Sequence, residues 1–182
     1  MTPSADDEVR GATGQASCHL ARPGAVAGAV LRGARLSADI SEAALATASG
    51  VSEDTIRSWE HGTSPLASVP LPLVERLEAA LIASGADPRL ITDLDPAAWC
   101  DLVILAIAGN DESVTCLLAD PVTSGAAFGE LLAWCLAGRV PARHRPYAVL
   151  GPLLANSILT KRAIKAMDAL HPRLASACRL VF

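Results

Sequence analysis

Aromatic side chains are scarce in this chain: two Phe, one Tyr and three Trp among 182 residues. A core made from such a composition rests on Ala, Leu and Val, which favours closely packed helices. Lysine is nearly missing too. Lys161 and Lys165 are the whole complement, and arginine carries the remaining positive charge. That bias, with abundant Ala and Gly, suits a GC-rich bacterial genome. Alternating β-branched residues are almost absent, so strands are not expected. The longest apolar run, Leu102 to Gly109, falls far short of the about 20 residues that cross a bilayer. Met1 to Arg22 lacks the apolar stretch of a secretory signal, so the expected location is the cytoplasm, with no membrane partner.

Chemistry-bearing clusters are missing as well. The five cysteines (Cys18, Cys100, Cys116, Cys135, Cys178) are scattered and form no C-x-x-C pair. Three lie in apolar stretches and read as small buried hydrophobes in a reducing cytosol, with a redox-sensing thiol as the alternative. His19, His61, His144 and His171 lack metal-ligand spacing and read as surface or capping residues. No Gly-rich phosphate loop follows a strand, and no nucleophile signature is present. The expectation is a non-enzyme without metal or cofactor.

What the chain does have is concentrated between Leu31 and Gly62. Ser41 opens one short helix ahead of Ala44, Leu45 and Ala48, its hydroxyl suited to an orphan amide of the first turn. Gly50 can take the positive φ that ends it. Ser52 caps a second helix, with Glu53 and Asp54 where the helix dipole favours negative charge. Ile56 and Trp59 supply the apolar side, and Gly62 stops the helix. Two short helices around a tight turn form a helix-turn-helix pattern.

This stretch resembles the Xre/phage-repressor (Cro/C1-like) type of DNA-binding domain. The matching residues are Leu31-Arg32, Arg35, Ser41, Leu45-Ala46, Gly50-Val51-Ser52, Thr55-Ile56, Trp59-Glu60 and Gly62, spaced without a gap over about a quarter of the chain. The resemblance implies a five-helix-type domain whose second motif helix enters the major groove of double-stranded DNA. It implies an Arg35–Glu60 salt bridge. Ile56 and Trp59 should pack on Leu45 and the preceding helix, completing the lock. DNA-facing positions would be Ser41, Glu42, Ser52, Glu53, Asp54, Thr55, Arg57, Ser58 and His61, with Arg57 the best single contact. The sequence departs from the family in charge. Glu42 stands where Gln is frequent, Glu53 and Asp54 stand where Gln, Arg or Lys are common, and Thr63-Ser64-Pro65 lacks lysines. Carboxylates can accept from cytosine but are repelled by phosphate. Residues 1–65 hold five arginines against eight acids, which implies weak, modestly salt-sensitive DNA binding by one copy. The alternative is a protein-interaction module on the same fold.

The expected organisation is all-α: an arm (1–22), a helix-turn-helix domain (23–87) and a helical domain (88–182) that dimerises and has room for a small-molecule or protein effector. Pro23 falls in the first turn of the first helix, followed by Val26, Val30, Leu31 and Ala34. Pro70 or Pro72 opens a helix that Gly85 closes. Asp87-Pro88 is loop punctuation. Asp95 caps a helix with Pro96 at its first position and Trp99, Leu102, Val103, Ala106 and Ile107 on its apolar face. Residues 113–119 fit a short helix or a strand. Thr123 or Ser124 caps a helix carrying Phe128, Leu131, Leu132 and Cys135, and Gly138 ends it. Residues 152–170 and the stretch from Pro172 read as helices. Trp99, Trp134, Phe128 and Cys135 serve as core, or as the lining of an effector pocket. Residues 66–138 hold ten acids against two arginines, and residues 139–182 hold eight bases against one acid. The basic segment is a solvated face, a salt-linked partner of the acidic middle in the same or a second chain, or a source of phosphate contacts.

Overall fold

A computed structural model describes residues 23–109 and 125–147. Among these residues the structure is all-helical, with no strand. The helices are α1 (Ala25–Ser37), α2 (Glu42–Ser49), α3 (Glu53–Glu60), α4 (Leu71–Ala83), α5 (Pro88–Ile91), α6 (Leu94–Gly109) and α7 (Ala126–Ala137), with a 3-10 turn at Leu66–Ser68. The arm, residues 113–119, and the helices read beyond residue 151 lie outside the described residues.

α1 is the central beam. Val26, Val30, Leu31 and Ala34 are fully buried, and α1 packs against α3, α5 and α6. Each of these Val and Leu side chains removed from water contributes about 1.5–3 kcal/mol. Its tightest approach is at Gly28. A Cβ there would meet the Trp59 carbonyl oxygen at 2.3 Å, so only glycine lets the end of α3 lie so close. The helix starts at Ala25 with Gly24 as its cap residue, so Pro23 precedes the first turn instead of lying in it.

α6 is the second beam, packed on α1, α7 and the 3-10 turn. It begins at Leu94, one residue before the expected capping Asp95, which lies in the first turn. The inner side of α6 also differs from the expected stripe. Val103, Ala106 and Ile107 of that stripe are buried, but Trp99 and Leu102 are half-buried, and Cys100, Asp101 and Ile104 are buried beside them. A helix apolar nearly all round gives no single periodic face to read. Asp87-Pro88 opens the short helix α5, Asp87 accepting from the Arg89 amide at 2.9 Å. α7 starts after Gly125, which offers no side-chain cap, and ends at Gly138 with φ of 71°. Phe128, Leu131, Leu132, Trp134 and Cys135 are core. One hydrophobic cluster runs from Val26 to Leu136 without a break at residue 87.

Candidate nucleic-acid interface

The turn between α2 and α3 follows from its caps. Ser41 Oγ accepts from the Ala44 amide and Ser52 Oγ from the Thr55 amide, each at 3.1 Å. Gly50 sits at φ of 73° between them. The back of α3 is locked. Leu45 and Ile56 are fully buried and Trp59 nearly so. Arg35 donates through Nε and Nη2 to both carboxylate oxygens of Glu60, at 2.6 and 2.8 Å, and through Nη1 to the Ile40 carbonyl at 2.8 Å. Glu60's hydrogen bonds hold the Arg35 guanidinium above its usual pKa against the opposing effect of burial. A bidentate pair whose third guanidinium nitrogen is also bonded is the geometry in which two buried charges are tolerated.

The front of α3 faces solvent. Ser52, Glu53, Asp54, Arg57 and His61 are exposed, and Thr55 and Ser58 are half-exposed. Several of these groups are already engaged. Ser52 Oγ and Thr55 Oγ1 share a 2.8 Å hydrogen bond, as do Ser58 Oγ and Thr63 Oγ1. His61 caps the helix end, with Nδ1 2.8 Å from the Arg57 carbonyl. Arg57 sits among three carboxylates: Nη2 to Glu53 at 2.6 Å, Nη1 to Asp54 at 2.8 Å and Nε to Glu42 on α2 at 3.2 Å. Such exposed pairs add little stability. Their consequence is electrostatic, because one cation is spread over three anions and the patch stays negative.

Two polar constructions escaped the sequence. The first is Asp101, 3% exposed in the middle of α6. Its two oxygens accept from the Val26 and Ala27 amides at 2.9 Å each. It thus caps α1, whose own start carries no side-chain cap. Burial pushes this carboxyl up, the two amide bonds oppose that, and the balance lies at about 7. Burial, and then the Asp101 charge, push the Cys135 thiol up as well. A lone acid inside an apolar helix was the available signal. Its partner, some 75 residues away, was not legible.

The second construction is the strap after α7. His144 is 1% exposed, which corrects the expectation of a surface or capping residue. Its Nε2 lies 2.8 Å from Asp93, and its ring lies over Trp134 at 5.2 Å. Arg143 bonds both Asp93 and Glu130. Burial acts to raise the Asp93 carboxyl, but the bonds from His144 and Arg143 outweigh it and hold the group below its ordinary value. Part of the basic segment is therefore spent on the acidic middle of the same chain.

Cys100 and Cys135 are both buried. Cys18, Cys116, Cys178, His19 and His171 lie outside the described residues. Among the described residues no three His, Cys, Asp or Glu side chains converge as metal ligands, and no helix is long and apolar enough to cross a membrane. No family model matches the chain, and comparisons with curated proteins and with solved structures find no significant match.

Proposed function

We propose that the chain is a cytoplasmic transcriptional regulator that binds double-stranded DNA as a homodimer on an inverted repeat. In this reading residues 23–87 form the helix-turn-helix unit of five-helix type, and the helices from residue 88 onward carry dimerisation. The observation that carries it is α3, a helix outward along Ser52–Ser58 and braced from behind by Ile56, Trp59 and the Arg35–Glu60 pair. A recognition helix needs both properties at once. The exposed amino ends of α2 and α3 add amides that can hold phosphate without lysine.

The test is a mobility shift of the full chain on the DNA upstream of its own gene, at low and moderate salt. Wild type should retard a specific fragment, and Thr55→Ala and Arg57→Ala should each lose it. No retardation of any fragment at low salt refutes the reading.

The carboxylate cage around Arg57 favours a second reading, in which α3 docks a basic protein. Glu53→Gln with Asp54→Asn separates the two. Removing two charges that repel phosphate strengthens non-specific DNA binding under the first reading. It abolishes partner capture under the second.

A further inference from the structure

A groove of about 160 Å³ lies between the 3-10 turn, α4 and the start of α6. Leu66, Val69, Val74 and Leu94 form its walls, and Leu71 stands on its rim 67% exposed. Glu78 and Asp95 also line it, and Glu75 lies one turn before Glu78 on α4. None of these three carboxylates forms an ion pair with a described residue, in contrast to Asp87, Asp93 and Glu130, which all do. Burial raises the Glu78 carboxyl, and Asp95 and Glu75 raise it further. An apolar slot edged by acids that no described residue neutralises is complementary to an apolar stripe flanked by cations.

The chain's own sequence contains such a stripe. In residues 157–170, Leu159, Ala163, Ala166, Met167 and Leu170 recur at the spacing of one helical face, and Lys161, Arg162 and Lys165 fall at the other positions. Arg143, in the strap, is already committed to Asp93 and Glu130. We infer that the groove receives residues 157–170 of a second copy of this chain, so that two reciprocal contacts hold the homodimer. The inference rests on the homodimer of the proposed reading and is independent of DNA.

The test uses full-length chains and light scattering. One variant reverses the groove (Glu75→Lys with Glu78→Lys), and the other reverses the segment (Lys161→Glu with Lys165→Glu). Wild type should be a dimer, each variant alone a monomer, and an equimolar mixture of the two a dimer again. Mixing restores both contacts only if they form between copies. Variants that stay dimeric alone overturn the groove contact and leave the homodimer standing. Folded monomers that stay monomeric on mixing assign the segment elsewhere and overturn the inference. A monomeric wild type overturns the homodimer as well. Carbodiimide cross-linking of wild type, from mixed light- and heavy-isotope chains, needs no variant. Links between Glu75, Glu78 or Asp95 of one copy and Lys161 or Lys165 of the other are expected, and their absence refutes the contact.

Discussion

Replacing Asp101 by Asn should change how stability depends on pH. Burial raises the folded carboxyl from its ordinary 3.8 to about 7. The folded chain then keeps a proton that the unfolded chain has released. Stability from this group is greatest below the unfolded value, falls as pH rises through the window to about 7, and is flat above. Three units of pKa correspond to about 4 kcal/mol. Asn is neutral throughout and offers one acceptor to two amides, a fixed cost of about 1–3 kcal/mol. Urea unfolding of both proteins at half-unit steps from pH 4 to pH 8 gives the difference curve, in which shared titrations cancel. Wild type should lose about 4 kcal/mol relative to Asp101→Asn across that range. A flat difference, or one that rises with pH, refutes the reasoning. It would mean that the two amides and the amino end of α1 keep the carboxylate ionised despite burial.

Three other outcomes follow from the packing. Glu60→Gln leaves the Arg35 guanidinium buried without its counter-charge and should cost about 3–5 kcal/mol in denaturant unfolding, whereas Arg35→Met with Glu60→Leu should cost much less than either single change. Gly28→Ala forces a methyl group onto the Trp59 carbonyl; thermal unfolding should show a loss of at least about 1–3 kcal/mol. Asp93 titrates with the opposite sign to Asp101. Its lowered pKa contributes stability above the ordinary carboxylate range that is lost as pH falls through the folded value, so Asp93→Asn should flatten the acid limb of the stability curve.

The local features of the turn were legible because their partners are neighbours in sequence. Ser41, Gly50 and Ser52 act on residues within one turn; the pairing of Arg57 with Glu53 and Asp54 is equally local but is not among the sequence expectations, which give all three as DNA-facing. The Arg35–Glu60 pair, 25 residues apart, came from the resemblance and not from spacing. Nothing comparable announced Asp101 on the α1 amides or Asp93 under the strap, since those contacts exist only once α6 and α7 have packed. The burial of His144, expected at the surface, has the same origin. A polar residue's burial is set by what closes over it, and here that is Trp134 and Asp93. α6 starts two residues before the expected first position, Pro96, because an Asp-Pro pair also fits the first turn of a helix already begun. The groove beside α4 could not be read at all, as it is a space between three elements.

The cap on α1 has a practical consequence for anyone cutting this gene. A fragment stopping at residue 87 would keep every feature of the turn yet leave the opening amides of its central beam without their acceptor, and the flank that α6 covers would stand bare in water. Such a fragment should emerge as a loosely organised, aggregating chain. Homologous swaps that exchange only the front half should fail unless an acid arrives from the recipient at the place of Asp101. The front helices are thus not a cassette: they can be transplanted only together with the rod behind them.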